Sequence, residues 1–517
     1  MLLKLTRFKN YFNTFFLIII IVAFLTRVIP ILGNNYYFTM DQGYTALAVR
    51  EILSRGAVPL KGPATSLSGV YAGPVWYWFE AIGYAMFSGS PFGGNFILII
   101  LNIIILAILI KTIANKISPN TALLTGVFLL FFWSFFETSR YAFNPFPMVF
   151  LTILSIIFMA RFVEEGKKYY IYAAIPIGLS FHIEVASFVP FLIWYVSLGL
   201  LFLIKRKINF KTLIISFIII ALSFIPTLIS EITNDFSQTK ALINHFLDPG
   251  GTFGGTQFRY ISEKFFGIIS ETTIPQNIKL GAISFFSIIF LFILGKLKKI
   301  SIKKNSFSDY FIYLSLFLTG ISWLFFATNK GWHAWQTVYI PPILFLSIIF
   351  ILVRLKSSLK IPALILLFFF QLSFFAQRYQ ENFKPSSDQS ILANEIGAID
   401  WVYQKSEDRG FYVYNYLPSV YDTPYQYLFW WYGKKTYGYL PCEYSSYPGS
   451  PKMFVPGAKY YEGPKRDCSN IRFLIIEPDS NYYVQESWLS DLRNNTKLLE
   501  ETEVGSIKVE KREITTN

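Results

Sequence analysis

The chain has almost none of the residues from which metal centres and disulfide scaffolds are built: two cysteines and three histidines in 517 positions. Cys442 and Cys468 are too few for a disulfide framework, and both lie far in sequence from any histidine, so no zinc-site spacing is present. They can form one bridge where their part of the chain faces an oxidising compartment. Charge is scarce as well, at 15% of residues, which is too little to cover a soluble protein of this length. No internal repeat is visible, so the inverted-repeat signature of many secondary transporters is missing. The run Asp248-Pro-Gly-Gly-Thr-Phe-Gly-Gly255 lacks a Lys-Ser/Thr ending and is read without a following helix. That excludes a nucleotide P-loop and leaves a lid or a solvated glycine-rich loop.

What is present is apolar length. The chain is 53% hydrophobic and 19% aromatic, with a mean hydropathy of +0.43. Apolar runs of 17 or more residues recur up to about residue 378. Each is long enough to cross a hydrocarbon layer of about 30 Å as a helix, and their lack of alternation excludes a β-barrel. The first run, Phe15 to Leu32, follows Lys4, Arg7 and Lys9 as a signal peptide would. It is long for one, lacks a small-residue cleavage site and carries Arg27, so it is expected to stay as a span.

A net charge of +14 raises the question of nucleic acid. Of the 46 Lys and Arg, 20 fall in six short segments between apolar runs, at 4–9, 111–116, 161–168, 205–211, 296–304 and 354–360. The basic excess is therefore topological, and no nucleic-acid partner is expected. All six become cytoplasmic together if the chain crosses at 15–32, 93–113, 119–137, 145–163, 169–185, 187–204, 211–230, 280–296, 309–327, 336–354 and 360–377. This predicts a polytopic α-helical protein of about eleven transmembrane helices in a multi-pass cell-membrane location. The N-terminus is placed in the cytoplasm and the C-terminal domain outside. The stretch Gly73 to Phe87, short, aromatic and carrying Glu80, is then an interfacial helix rather than a span.

Residues 1–381 form the expected membrane domain, with a first outer loop at 33–92 and a flexible outer loop at 231–279. The first outer loop has a predicted helix from Tyr44 to Ser54 and a Gly/Pro/Ser-rich passage from Gly56 to Gly73. Residues 382–517 turn polar and read as a small extracytoplasmic α/β domain. A helix is predicted over Ser390–Gln404, with strands at Gly410–Asn415, Arg472–Glu477 and Gly505–Glu510.

Charged groups placed near a membrane are costly without a role or a partner. Arg27, Asp41, Glu80, Glu137, Arg140, His182, Glu184, Glu231, Lys330 and His333 all fall at or beyond the outer boundary in this topology. No comparable set lies at mid-membrane, so the pattern points to a site at the outer surface rather than a transport pathway. Asp41 stands out, in Tyr37-Phe-Thr-Met-Asp-Gln-Gly-Tyr44. The plainer alternatives are that Asp41 caps the helix starting near Tyr44, that Arg27 snorkels, and that Glu137 and Arg140 pair at i, i+3. His182 and Glu184, at i, i+2, share no helical face. With Asp41 they are donors a divalent metal would use, though no spacing demands one.

The order of these features resembles the GT-C membrane glycosyltransferases of the protein O-mannosyltransferase and aminoarabinose-transferase type. The shared order is a basic N-terminus, a first span with a late Arg27, Asp41-Gln-Gly, then Ala46-Leu-Ala-Val-Arg-Glu-Ile-Leu-Ser-Arg-Gly56 and Pro74-Val-Trp-Tyr-Trp78. Ser139-Arg140 to Asn144-Pro145, Gly178-Leu179 and Tyr339-Ile-Pro-Pro342 follow in family-like order, and the likeness covers roughly 15–378. Gln42 stands where many relatives have Glu, and Asn144 where an Asp is common, so no second acid is carried over. Ala72-Gly73-Pro74 replaces a Lys-Pro-Pro signature, which leaves Arg27, Arg140, Arg259 or Lys330 to meet a lipid phosphate.

The resemblance implies an inverting glycosyltransferase that moves a sugar from a polyprenyl-phosphate donor to an acceptor hydroxyl of a glycan, lipid or protein at the outer face. Asp41 would be the catalytic base, and a nearby cation would stabilise the departing phosphate. His182, Glu184 and His333 complete the candidate substrate-binding set, with Trp76 and Trp78 as sugar-stacking platforms or interfacial anchors. The alternative classes are a flippase or transporter of lipid-linked sugars and a non-catalytic membrane scaffold. Lipid movement without sugar transfer would mark the former, and partner binding by the C-terminal region without any transfer the latter.

Overall fold

Long apolar runs leave the backbone one way to satisfy its own polar groups in hydrocarbon, and the chain takes it. The computed structural model describes residues 2–247, 255–297, 305–328, 332–419, 421–449 and 463–515. The N-terminal part comprises α1 (Leu2–Val28), α2 (Met40–Arg55), α3 (Val75–Met86), α4 (Phe92–Lys116), α5 (Pro119–Leu130) and α6 (Trp133–Glu137). There follow α7 (Met148–Glu165), α8 (Lys168–Ser180), α9 (Val185–Ile204), α10 (Phe210–Ser223), α11 (Ile225–Thr233) and α12 (Ser237–Leu247). The membrane part ends with α13 (Gly255–Glu271), α14 (Ile278–Lys296), α15 (Ser306–Thr328), α16 (Ile340–Leu352) and α17 (Ser357–Glu381).

Among the described residues, seven helical stretches are long and apolar enough to cross a membrane: Tyr11–Ile31, Phe92–Lys116, Val185–Ile204, Ile278–Lys296, Ser306–Thr328, Ala334–Leu352 and Ser357–Glu381. The pair α10 and α11, bent by 54°, makes an eighth if it is one span. Pro226, in the first turn of α11, supplies the break. The other expected crossings are helical but shorter or interrupted: 119–137 divides into α5 and α6, and 169–185 stops at Ser180. Every residue of α16 is buried, as expected of a helix that is apolar all round and packed by neighbours on all sides. Outward-facing Ile218, Leu222, Ile283, Phe290, Ile365 and Phe369 leave an apolar exterior suited to lipid.

Two expectations for the segments between the spans change. The helix expected from Tyr44 begins at Met40, because Thr39 is extended at its N-cap and its N–H donates to Gln42 Oε1 at 2.9 Å. Asp41 therefore lies within the first turn and is not the cap. Gly56, in the left-handed region, ends this helix. The segment 231–279, expected as a loop, is mostly helical, and α13 does follow the glycine-rich run, of which residues 248–254 lie outside the described residues. The short helix α3, expected not to span, is twelve residues long with two faces: Trp76, Tyr77, Glu80, Ala81 and Tyr84 are buried, while Phe79, Ile82 and Met86 are exposed.

The C-terminal part is an α/β unit with a five-stranded sheet in the order β2-β1-β3-β5-β4. Its strands are β1 (Gly410–Tyr416), β2 (Glu443–Ser445), β3 (Cys468–Ile476), β4 (Thr496–Val504) and β5 (Ile507–Ile514). β1 runs parallel to β2 and β3, with Val413 opposite Phe473, and β5 runs antiparallel to both β3 and β4. The helices are α18 (Leu392–Ser406), α19 (Thr423–Leu428), the short α20 (Lys434–Tyr437) and α21 (Tyr482–Arg493). Cys442 and Cys468 are joined in a disulfide beside β2 and β3.

This unit shares a core with the segment 33–92. Ala46, Leu47 and Val49 of α2 are buried in one cluster with Val402, Phe411, Leu428 and Phe473. Backbone bonds from Phe38 N to Ser390 O (2.8 Å) and from Leu392 N to Tyr36 O (3.0 Å) tie the two segments together. Tyr427 and Trp431 donate to the Gly89 and Ser88 carbonyls on the far side of α3.

Candidate functional site

The first turn of α2 is fixed from two directions. Gln42, already accepting from Thr39, donates through Nε2 to the Ala142 carbonyl at 2.8 Å, and the Ala142 N–H donates to Asn95 Oδ1 of α4. From the other side, Thr423 Oγ1 donates to the Met40 carbonyl at 3.0 Å. Gly43 permits this approach: a methyl group there would stand 2.5 Å from Pro424 N and 2.7 Å from the Thr423 carbonyl carbon.

Between these anchors the Asp41 carboxylate is open to solvent, yet closely surrounded protein pushes its pKa above the usual aspartate range by desolvation. Its charge acts on Tyr44, Tyr77, Tyr141 and Glu184, which places these side chains around it. The segment 138–147 is the hub: besides holding Gln42, it sends Asn144 Nδ2 to the Ile183 carbonyl at 2.8 Å. Asn144 is thus a tie to the turn that carries His182 and Glu184, which explains an amide at that position better than a missing acid does.

That turn lies between α8 and α9, outside both helices. Glu184 caps α9 through Ala186 N–H, and burial pushes its pKa up to about 7, with Ala186 N–H opposing and Asp41 adding to the rise. His182 Nε2 donates to the Ser223 carbonyl at 2.8 Å, and Nδ1 lies against Gly73, where any side chain would collide with it. Burial holds the imidazole below its usual pKa against the pull of that carbonyl. Among the described residues, no group of three or more His, Cys, Asp or Glu side chains is placed to hold a metal ion.

Beside Asp41 opens a cavity of about 710 Å³, lined by Tyr44, Glu51, Arg55, Lys61, Tyr71 and Tyr77 together with Thr233 and Asn234 of the α11 end. Asp41 does not line it directly. The shared members Tyr44 and Tyr77 are the link, since both hydroxyls feel the Asp41 charge. Lys61 was not legible as a candidate from the sequence. The loop 56–74 folds back on itself, with Gly62 N donating to Ala72 O and Ala72 N to Pro63 O, and this sets Lys61 Nζ 5.3 Å from the centre of the Tyr71 ring. Tyr71 N in turn donates to Gln238 Oε1 of α12. Arg55, on the same wall, is paired with Glu51 at 2.9 Å.

Other sequence candidates lie elsewhere or are already engaged. Arg27 is 2% exposed inside the bundle, its Nε on Asn102 Oδ1 at 2.9 Å and its guanidinium over the Phe135 and Phe136 rings. It joins α1, α4 and α6, so neither snorkelling nor direct phosphate contact describes it. Arg140 stacks over Trp133 and shares its field with Glu137 and Tyr37 at the edge of the 138–147 hub, where burial lowers its pKa. Arg259 is exposed and paired with Glu263. His333 stacks on Trp335 at 4.3 Å, and Trp335 meets Phe143 of the hub. Trp76 is buried in the helical core and so is not placed to stack on a sugar, while Trp78 is half-buried. Lys330 lies outside the described residues.

Residues 71–229 match the family profile of dolichyl-phosphate-mannose-protein mannosyltransferase. No curated protein matches the chain. Over the whole chain, the fold is similar to that of crystal structures of ArnT from Cupriavidus metallidurans. The form bound to undecaprenyl phosphate gives a TM-score of 0.61 at 10% identity, covering 97% of this chain and 98% of that one. The apo form gives 0.59 at the same identity and coverage. The resemblance read from the sequence is thus confirmed: this is a multi-pass membrane protein with the GT-C glycosyltransferase fold. Asp41 precedes the part matched by the family profile, which therefore says nothing of it.

Proposed function

We propose that this protein, whose fold is that of the GT-C glycosyltransferases, is an inverting enzyme that transfers a sugar from a polyprenyl phosphate to an acceptor hydroxyl at the outer membrane face. The observation that carries the reading is a solvent-open carboxylate on a doubly anchored helix turn, beside a large cavity with a lysine on its wall. Asp41 acts as general base on the acceptor hydroxyl, which attacks the anomeric carbon from the face opposite the phosphate. The C–O bond to phosphate breaks as the new glycosidic bond forms, and the acceptor proton passes to Asp41. A base whose pKa is raised by desolvation is better matched to that proton than an ordinary aspartate. Lys61 is placed to offset the phosphate charge, a role for which Arg27 and Arg259 are less suited because their contacts are elsewhere. The Cys442–Cys468 disulfide supports an extracytoplasmic setting for the C-terminal unit and, through their shared core, for the first outer loop.

The test is sugar transfer by Asp41→Asn in purified, reconstituted protein. Loss of transfer by about 100-fold or more, with donor binding retained, is the expected result for removal of a general base. Full activity in that variant refutes the assignment, and lipid translocation without transfer by the wild type refutes the enzyme.

A further inference from the structure

A second cavity, of about 600 Å³, opens between α7, α9 and α15, far in sequence from the Asp41 turn. Its walls are apolar, formed by Leu198, Leu201, Phe202, Leu314 and Phe317, and its mouth carries Lys205, Lys207, Tyr310 and Tyr313. The lysines are held there by backbone geometry. After α9 ends, Lys207 N and Ile208 N both donate to the Phe202 carbonyl, and the chain reverses through Arg206 in the left-handed region at φ 54°. This non-glycine turn costs about 1 kcal/mol, and it sets residues 205 and 207 on the same opening.

Neither lysine makes an ion pair among the described residues. The one acidic residue at the mouth, Glu164, is neutralised by Lys116 at 2.9 Å. The neighbouring Glu165 is shared between Lys116 and Arg161. The mouth therefore carries uncompensated positive charge directly above an apolar groove that opens on the bilayer side of the bundle, where Leu201, Ile204 and Phe317 are exposed.

We infer that this groove is a binding site for an acidic phospholipid, with the phosphate at Lys205 and Lys207, the tyrosine hydroxyls available to the head group, and an acyl chain along Leu201, Phe202 and Phe317. The occupant must be amphiphilic, because a free phosphate would leave the apolar walls unused. It must be anionic, because a zwitterionic lipid gains little from two unpaired lysines.

The experiment is native mass spectrometry of the full-length protein in detergent, titrated separately with phosphatidylglycerol, phosphatidylcholine and undecaprenyl phosphate. The wild type is expected to prefer phosphatidylglycerol over phosphatidylcholine. The double variant Lys205→Ala/Lys207→Ala should weaken phosphatidylglycerol binding by about 30-fold, from two surface lysines each contributing roughly a factor of five. Lys205→Arg/Lys207→Arg should retain it, and so should Lys167→Ala/Lys168→Ala, which removes nearby basic residues that do not line the groove. An unchanged affinity in the double alanine variant, equal binding of both phospholipids by the wild type, or equal loss in the 167/168 variant overturns the site. Tighter binding of undecaprenyl phosphate, lost in the same double variant, overturns the choice of occupant.

Discussion

Replacing Gly43 by alanine isolates what the C-terminal unit contributes to the first turn of α2. The added methyl would stand 2.5 Å from Pro424 N, 2.7 Å from the Thr423 carbonyl carbon and 2.8 Å from Thr423 Oγ1. Ordinary contact is near 3.5 Å, so α2 and α19 must separate by about 1 Å. Two of the three atoms are backbone and have no rotamer by which to give way. Overpacking of this kind costs about 1–3 kcal/mol, partly offset by the roughly 1 kcal/mol alanine gains over glycine inside a helix. The net destabilisation is small, about 1 kcal/mol, and the protein should still fold and insert. The geometry should suffer more. Separation breaks the bond from Thr423 to the Met40 carbonyl, one residue before Asp41. A misplacement near 1 Å at a catalytic group costs about 100-fold in rate. The assay is steady-state transfer by reconstituted protein alongside its melting temperature. A fall in kcat of that order, with KM for the donor within about threefold and only a few degrees lost in melting, is expected. Gly33→Ala, where the added methyl meets open space, serves as the silent control. Unchanged kcat in Gly43→Ala would refute the claim that the C-terminal unit positions Asp41, and equal losses in both variants would reduce the effect to general damage.

Lys61→Ala should raise KM for the polyprenyl-phosphate donor by about 10-fold or more through loss of a charge-assisted contact, with Lys61→Arg recovering part of it; an unchanged KM removes Lys61 from phosphate binding. Glu477 is 3% exposed, and burial foremost, then the nearby Asp388 against the pull of Tyr425, sets its pKa at about 8. The folded state holds this proton more tightly than the unfolded chain does, so its contribution to stability is full below about pH 4.5 and is lost as pH rises to about 8, by up to about 5 kcal/mol. Glu477→Gln should flatten the melting profile across that window, and an unaltered slope would count against the shift. Cys442→Ser/Cys468→Ser opens a loop with a sequence separation of 26 and should lower stability by about 3.5 kcal/mol on a loop-closure basis, read as a drop in melting temperature; no change would place the bridge outside the cooperative unit.

Much of the fold was legible because hydrophobic length is a local property. The runs at 93–113, 187–204 and 309–327 became helices within a few residues of their expected limits, since a continuous apolar segment has only one hydrogen-bonded form in lipid. Asp41 was singled out for a similar reason: a carboxylate next to a span is costly without a role or a partner and therefore conspicuous. Breaks were harder to see. The stop at Ser180 and the bend between α10 and α11 depend on packing and on single residues within otherwise uniform runs.

By itself, then, the sequence determined that this is a helical membrane protein with a polar α/β tail, and it singled out Asp41 and a resemblance to the GT-C glycosyltransferases, because composition, periodicity and charge order act over short stretches. Only the tertiary structure decided which charges meet. Arg27 and Asn102 find each other across 75 residues, Gln42 and Ala142 across 100, and Met40 and Thr423 across 383. Those distances explain why Arg27 left the candidate site and why Lys61, an ordinary loop lysine in sequence, entered it. Contacts so remote in the chain are set by how the helices and the tail pack together, and no local pattern encodes them.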